Sequence, residues 1–303
     1  MKLTNIVFAR NRPLQLEGYL ESFYRFIPRE NVYTYILYKE ELFSDQYKEV
    51  FSKFDNCVVI RESSFNYDFL KLLTEIKTEY INFGTDDVVY FDSVNLDIVE
   101  EIFKEYKKQI FGFSLRMNPE TIQEQNIYKY KMKNQDIYSV NWKKTKDNTA
   151  KYPFELNGTI YKTNLVKEII SNIDNDKVFL KKVFTKDSLR VKILSNIFKM
   201  KNFLALLQTF HNPNNLEGHC YRWVKTHKNR YPDLVFFQNL CSSAIQVNIV
   251  YTAIDNPIDG GKEFTIESLN SKFKQGYRID VDFLIQNKPN HTHIGKEYFR
   301  LKK

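Results

Sequence analysis

Hydrophobic residues in the first 115 positions form short continuous runs that alternate with stretches of helical spacing. Short runs indicate buried strands, and apolar positions three and four residues apart indicate amphipathic helices. The predicted strands are Leu3–Ala9, Val32–Tyr38, Cys57–Ile60, Tyr80–Phe83 and Gln109–Leu115. The predicted helices are Leu14–Phe26, Phe43–Phe54, Tyr67–Lys77 and Leu96–Tyr106. This alternation is typical of an α/β fold with a parallel sheet between two layers of helices.

The pattern changes after Met117, because residues 118–150 are polar and aromatic without a clear period. Further along, the sequence predicts a strand, three helices and a loop. These are the strand Tyr152–Tyr161, the helices Thr163–Asn172, Asp187–Met200 and Thr265–Gly276, and the loop His211–Gly218. We therefore expect one compact unit with two functional halves, residues 1–116 and residues 117–303, of which the second is more helical.

Composition narrows the class of protein. The 303 residues carry a net charge of +8, but the lysines and arginines are scattered, which argues against a nucleic-acid-binding surface. The same charge would favour weak attraction to anionic lipid at the inner face of a membrane. The three cysteines are far apart and give neither a disulfide framework nor a zinc site. With no signal peptide and no membrane-spanning run, the expected location is cytoplasmic.

The strongest chemical signal is the pair Asp86–Asp87, which follows the buried strand Tyr80–Phe83. Two adjacent carboxylates between apolar runs are costly to bury without a counter-charge. Mg²⁺ or Mn²⁺ would remove that cost, and both ions also bind diphosphate oxygens. Gly84 is expected to let the backbone approach a ligand closely. A solvated acidic turn is the alternative interpretation.

A second candidate segment ends the first predicted strand. In a parallel sheet, ligands bind beyond the carboxyl ends of the strands, so Ala9–Arg12 and Thr85–Asp87 should lie at one edge. Phe8 and Ala9 could present backbone groups to a nucleobase. Arg10 and Arg12 offer forked donors for phosphate, or are simply surface arginines.

These segments resemble those of a known family. Asn5-Ile-Val-Phe-Ala-Arg-Asn-Arg-Pro-Leu14 resembles the first strand and loop of GT-A glycosyltransferases of the family 2 type, and Gly84-Thr-Asp-Asp87 resembles their Asp-x-Asp metal motif. Thr85 departs from that motif at its first acidic position. The resemblance covers the first 115 residues well and the remainder loosely. It implies a Rossmann-like mixed sheet flanked by helices that binds a nucleoside diphosphate sugar.

The resemblance also implies roles for individual residues. Asp87 would be the metal ligand, and Asp86 would face the ribose or the sugar. The helix that carries Asp68 and Lys71 would border the nucleotide. Arg116, just past the fifth predicted strand, would lie near the donor. A histidine from the C-terminal region would complete the metal site, with His293 preferred over His219.

The implied reaction is a divalent-metal-dependent transfer of a sugar, UDP-linked by preference, to a glycan or lipid-linked saccharide, as in polysaccharide biosynthesis. An inverting enzyme needs a general base for the acceptor hydroxyl. Glu217 is the first candidate because it falls in the predicted Pro/Asn/Gly loop, and Glu155 is the second. A retaining enzyme would not need this base.

Three other functions remain open from the sequence. A nucleotidyltransferase acting on sugar phosphates also uses paired acids, but Ala9-Arg-Asn-Arg-Pro13 lacks the glycine-rich loop that such enzymes carry after the first strand. A basic, non-catalytic nucleic-acid-binding protein is compatible with the charge. A lectin-like module would leave the position of Asp86–Asp87 unexplained.

Overall fold

A computed structural model describes residues 1–122, 127–132, 135–184, 210–227, 231–248 and 261–303. The predicted helix Asp187–Met200 lies outside these ranges. Within them, the helices are Pro13–Phe26 (α1), Ser44–Lys53 (α2), Phe65–Glu75 (α3), Leu96–Glu105 (α4), Thr163–Phe184 (α5), Pro213–Thr226 (α6), Ile266–Lys274 (α7) and Val281–Asn287 (α8). None of them combines the length and the apolar character needed to cross a bilayer.

Strands in the described ranges form one large sheet and two small ones. In chain order they are Leu3–Arg10 (β1), Val32–Lys39 (β2), Val58–Arg61 (β3), Tyr80–Thr85 (β4), Val88–Tyr90 (β5), Ile110–Ser114 (β6), Ile127–Lys131 (β7), Asp136–Asn141 (β8), Thr159–Lys162 (β9), Asp233–Phe237 (β10), Ser242–Ile245 (β11), Arg278–Ile279 (β12), His293–Ile294 (β13) and Leu301–Lys302 (β14). The nine-stranded sheet has the order β3-β2-β1-β4-β9-β6-β10-β8-β7.

The large sheet is mixed. β1 pairs in parallel with β2 and β4, and β2 pairs in parallel with β3. β9 is inserted between β4 and β6 and runs antiparallel to both. Two core clusters of apolar side chains pack in this fold, and both contain residues from either side of the predicted boundary at position 116. The prediction of an α/β fold with a mixed sheet flanked by helices is confirmed.

Most elements of the first 115 residues begin and end within two residues of their predicted limits. β7 and β8 were not predicted, because they occur in the polar stretch without a clear period. The predicted strand Tyr152–Tyr161 is shorter and comprises β9 only. The predicted loop His211–Gly218 is wrong, because most of it forms the first turns of α6. The predicted helix at Thr265 is confirmed, with the Thr265 side chain accepting from the Ser268 amide.

Candidate functional site

The acidic pair lies in the turn between β4 and β5, where it meets the end of β1. Phe8 is in register with Thr85, and the Asp86 amide donates to the Phe8 carbonyl at 3.0 Å. The Arg10 amide in turn donates to Asp86 Oδ2 at 3.1 Å. The prediction that Ala9–Arg12 and Thr85–Asp87 share one edge of the sheet is confirmed.

Arg12 lies between the two carboxylates. Its guanidinium pairs with Asp86 Oδ1, and its Nη1 is 3.4 Å from Asp87 Oδ2. Burial by itself lowers the pKa of Arg12, but the charges of Asp86 and Asp87 raise it above the ordinary value. Burial raises the pKa of Asp86 to about 6, against the opposing effect of Arg12. The charge of Asp86 is therefore compensated within the protein, because both of its carboxylate oxygens bind groups of the loop between β1 and α1.

The loop between β1 and α1 is fixed by Asn11, whose φ of 52° lies in the left-handed region that asparagine tolerates. Its Oδ1 accepts from the amides of Glu41 and Leu42 at 3.0 and 3.1 Å. Arg10 donates to both carboxylate oxygens of Glu41. Neither Arg10 nor Arg12 is therefore the uncommitted phosphate donor that the sequence suggested.

Gly84 has a different role from the predicted one. A Cβ at this position would collide with the ring of Tyr19, which is fully buried under the sheet. The glycine is thus required by packing between β4 and α1, and close approach of a ligand is not what demands it.

A cavity of about 450 Å³ opens over this edge of the sheet. Its lining combines the ends of β1, β2 and β4, the acidic turn, the start of α6 and the segment after β11. The lining residues are Phe8, Ala9, Arg10, Arg12, Leu37, Lys39, Glu62, Thr85, Asp86, Asp87, Asn157, His211, Asn212, Pro213, Asn214, Ala244, Gln246, Asn248 and His293. Seven of the sequence-predicted site residues are therefore brought together: Phe8, Ala9, Arg10, Arg12, Asp86, Asp87 and His293.

Asp68 and Lys71 on α3 do not line this cavity. The Asp68 carboxylate instead accepts from the amides of Ser63 and Ser64 at 2.7 and 2.8 Å, where it holds the turn that precedes α3. The cavity lining therefore does not support the expected contact between α3 and the nucleotide.

Glu217 is also outside the lining. It lies on α6, one helical turn after the residues that reach the cavity, and its carboxylate accepts from the Leu156 amide at 2.8 Å and from the Tyr152 hydroxyl at 3.0 Å. Burial raises its pKa. Glu155, the second candidate base, pairs with Arg116 and accepts from the Thr159 hydroxyl. The arrangement supports neither carboxylate as the general base.

Arg116 is buried behind the cavity wall, with 3% of its surface exposed. It contacts Glu155, the backbone oxygens of Asn157 and Thr292, and the His293 ring. Its Nη2 is 3.2 Å from His293 Nε2, so that nitrogen acts as the acceptor of an N–H. Partial desolvation and the charge of Arg116 lower the pKa of His293 to about 4, although the residue keeps an exposed surface. His293 lines the cavity, but its Nε2 lone pair, which would bind a metal, already accepts the hydrogen bond from Arg116.

Among the lining residues, the oxygen atoms around Asp87 have the chemistry to hold a cation. The Thr85 hydroxyl lies 2.6 Å from Asp87 Oδ1 and 2.5 Å from Asn157 Oδ1, and its single proton serves only one of these acceptors. A cation, or an Asn157 amide turned to donate its N–H, would relieve this excess of acceptor oxygens. Mg²⁺ and Mn²⁺ prefer such oxygen ligands. The described residues contain no group of three or more His, Cys, Asp or Glu side chains arranged for metal, so further ligands would come from substrate and water.

Several lining residues were missed by the sequence analysis. Lys39 ends β2 and Glu62 follows β3, and the rule that placed Ala9–Arg12 at the carboxyl edge would also have found these two. His211 and Asn214 reach the cavity because α6 starts there. Asn212 followed by proline is a helix-start signal that was overlooked. Gln246 and Asn248 follow β11, and no local pattern identifies them.

Comparison with known proteins finds a relative that matches part of this chain. The sequence is 26% identical to the bifunctional glycosyltransferase pgtA of Dictyostelium discoideum over a 203-residue alignment, and the match covers 55% of this chain and 25% of the relative. The chain thus corresponds to about a quarter of the length of that protein. No family model matches.

Solved structures give weaker similarity. S. aureus TarS 1-349 in complex with UDP-GlcNAc has a TM-score of 0.40 and 16% identity, over 55% of this chain and 47% of that one. A cytidylyltransferase from Leptospira borgpetersenii has a TM-score of 0.35 and 18% identity, over 56% and 64% respectively. The resemblance to glycosyltransferases that the motifs predict is therefore confirmed by a curated relative of that class, and the mixed sheet flanked by helices is the fold that this resemblance implies.

Proposed function

We propose that the chain is a glycosyltransferase that takes a sugar from a nucleoside diphosphate sugar, preferably UDP-linked, and transfers it to a glycan or lipid-linked saccharide. The observation that carries this proposal is the cavity at the carboxyl edge of β1, β2 and β4, into which Asp87 projects beside the end of β1. Ligands of open α/β sheets bind at this edge. The similarity to pgtA supports the same class of reaction.

The nucleoside fits the part of the cavity formed by the ends of β1, β2 and β3. Phe8 and Leu37 provide apolar surface, while Lys39 and Glu62 provide charge at the rim. Burial raises the pKa of Glu62. In its ionised form this carboxylate accepts an N–H from the base edge, such as N3–H of uracil.

We place the diphosphate of the donor beside Asp87. Of the two acidic residues, Asp87 is the more accessible, with 21% of its side chain exposed against 1% for Asp86. We propose that Asp87 holds Mn²⁺ or Mg²⁺, with Thr85 and Asn157 supplying further oxygens. When bound, the ion would neutralise charge on the diphosphate leaving group. Arg12 holds Asp86 in place and keeps Asp87 oriented towards the cavity.

The acceptor side of the cavity is rich in amides. Asn157, Asn214 and Gln246 line it, together with the imidazole of His211. Amide groups both donate and accept hydrogen bonds, which suits the hydroxyls of a saccharide acceptor. We propose that this side binds the acceptor.

A donor screen tests the proposal. The protein is incubated with UDP-, GDP- and CMP-sugars and Mn²⁺, with and without EDTA, and nucleotide release is measured. We expect release from one donor class that stops with EDTA. A folded protein that binds and turns over none of these donors would refute the proposal, while pyrophosphate release from a nucleoside triphosphate would identify a nucleotidyltransferase instead.

The site assignment is tested by Asp87→Asn, with Asp45→Asn as the matched control for loss of one carboxylate. Asp45 lies on α2 and its side chain is 82% exposed. We expect Asp87→Asn to lose metal-dependent donor binding while Asp45→Asn retains it. Equal binding by both variants would exclude Asp87 as the metal ligand.

A further inference from the structure

The cavity wall contains a segment from the far end of the chain. β13 pairs in parallel with β11, and β11 pairs antiparallel with β5, which follows Asp86–Asp87 directly. His293, the first residue of β13, lines the same cavity as the acidic turn. The site is therefore complete only when this two-residue strand is held in place, and so short a strand has few backbone hydrogen bonds of its own.

Arg116 connects this strand to the turn that carries Asn157. Its Nη1 donates to Glu155 Oε2 at 3.0 Å and to the Asn157 carbonyl at 3.4 Å. Its Nη2 donates to the Thr292 carbonyl at 3.1 Å and to His293 Nε2 at 3.2 Å. One buried guanidinium thus contacts both segments that place side chains in the cavity beside Asp87.

The charge of Arg116 is already matched. Glu155 lies against the guanidinium and is itself held by the Thr159 hydroxyl. The Arg116 side chain is only 4% exposed, and the residue is not part of the cavity lining. The resemblance implied that Arg116 lies near the donor, but a guanidinium held in this way does not contact the donor directly.

We propose that Arg116 is a positioning residue, which holds Asn157 and His293 in the cavity wall and so sets the donor affinity of the site. This inference rests on the proposed function, because the affinity concerned is that for a nucleoside diphosphate sugar. A lysine cannot replace it. A single ammonium lacks the planar fork that reaches a carboxylate and two separate backbone oxygens at once.

The matched variants are Arg116→Lys and Arg278→Lys. Arg278 also forms an ion pair with a buried glutamate, Glu17, and donates to the Phe273 carbonyl at 3.0 Å, but it does not line the cavity. Both substitutions replace the forked guanidinium of an Arg–Glu ion pair by a single ammonium group. Any general loss of stability from this change should therefore affect both variants. Only Arg116→Lys should change the site.

Binding of a UDP-sugar with Mn²⁺ is measured by calorimetry well below the melting temperature. We expect Arg116→Lys to weaken binding on the order of 10-fold, as for residues that orient binding groups, and Arg278→Lys to leave it unchanged. In a protein that already carries Asn157→Ala and His293→Ala, Arg116→Lys should add no further loss, because the two side chains that Arg116 positions are then absent from the cavity. A full additional loss in that background, or wild-type binding by Arg116→Lys, would overturn the inference.

Amide hydrogen exchange gives a measurement that needs no ligand. The Ala244 and Gln246 amides donate to the Thr292 and Ile294 carbonyls. We expect both amides to exchange faster in Arg116→Lys than in Arg278→Lys and the wild type. If the wild type binds no donor, the proposed function fails, and exchange still decides the positioning role: faster exchange in Arg116→Lys alone supports it, and unchanged exchange overturns it.

Discussion

Substitution of Asp86 by asparagine should damage the fold far more than the same change at Asp87. Asp86 is 1% exposed and supplies the main counter-charge of the buried Arg12. Asparagine keeps the shape and can still accept from the Arg10 amide, but it leaves Arg12 with Asp87 at 3.4 Å as its remaining carboxylate.

The size of the effect follows from this geometry. Removing one partner of a buried ion pair costs about 3–5 kcal/mol, because the other charge stays buried without compensation. Since Asp87 compensates in part, we expect Asp86→Asn to lower the free energy of unfolding by about 3 kcal/mol. For a chain of this size, that corresponds to a fall in Tm of roughly 5 °C. Asp87→Asn should cost less than about 1 kcal/mol, because Asp87 is partly solvated.

The assay is urea unfolding followed by circular dichroism at pH 7.5, where Asp86 is ionised in the wild type, together with thermal unfolding of the same samples. Equal midpoints for Asp86→Asn and wild type would refute the assignment of Asp86 as the counter-charge of Arg12. A larger loss for Asp87→Asn than for Asp86→Asn would reverse the roles given to the two residues.

Three further predictions concern other parts of the structure. Asn11→Ala should lower stability by about 1–2 kcal/mol, because alanine resists the left-handed backbone and loses the side-chain hydrogen bonds; Asn11→Gly should cost less, and equal thermal shifts would contradict this. Gly84→Ala should cost about 1–3 kcal/mol in urea unfolding, because its methyl meets Tyr19, and a neutral result would remove that packing role. Burial raises the pKa of Glu217, so the folded state binds a proton at this carboxylate more readily than the unfolded state does. The free energy of unfolding of the wild type, relative to that of Glu217→Gln, should therefore increase as the pH falls from 7 towards 4.5. A decrease over this range would contradict the prediction.

The position of the acidic pair could be predicted because it depends on local pattern and one rule of sheet architecture. Apolar runs identified β1 and β4, and parallel strands bring their carboxyl ends together. Phe8 and Thr85 are in register as that rule requires. Asn11 also carries a local signal, since asparagine tolerates the positive φ that the turn adopts.

The pairing inside the site could not be predicted, because it depends on side-chain directions in three dimensions. Arg12 is one of two nearby arginines, and only the turn at Asn11 directs it to Asp86 while Arg10 reaches Glu41. Similarly, Arg116 meets Thr292 and His293 across 176 and 177 residues of sequence. The periodicity of hydrophobic residues along the sequence gives no information about a contact between residues so far apart.

The misassignment around Glu217 has a specific cause. His211-Asn-Pro-Asn-Asn-Leu-Glu-Gly218 has the composition of a loop, but Asn212 caps the helix through the Asn215 amide at 2.9 Å, and Pro213 occupies the first turn. Cap and proline together signal a helix start. Applied here, that rule would have placed Glu217 on a helix one turn from the cavity.

The proposed role of the cavity beside Asp87 is to bind a nucleoside diphosphate together with a metal ion. The most direct test is a crystal soaked with UDP and MnCl₂, with anomalous diffraction measured at the manganese edge. We expect a manganese peak about 2–2.3 Å from an Asp87 carboxylate oxygen, in contact with the diphosphate, and the uracil between Phe8, Leu37 and Glu62. A nucleotide bound elsewhere, or a manganese peak away from Asp87 with the nucleotide in this cavity, would contradict it.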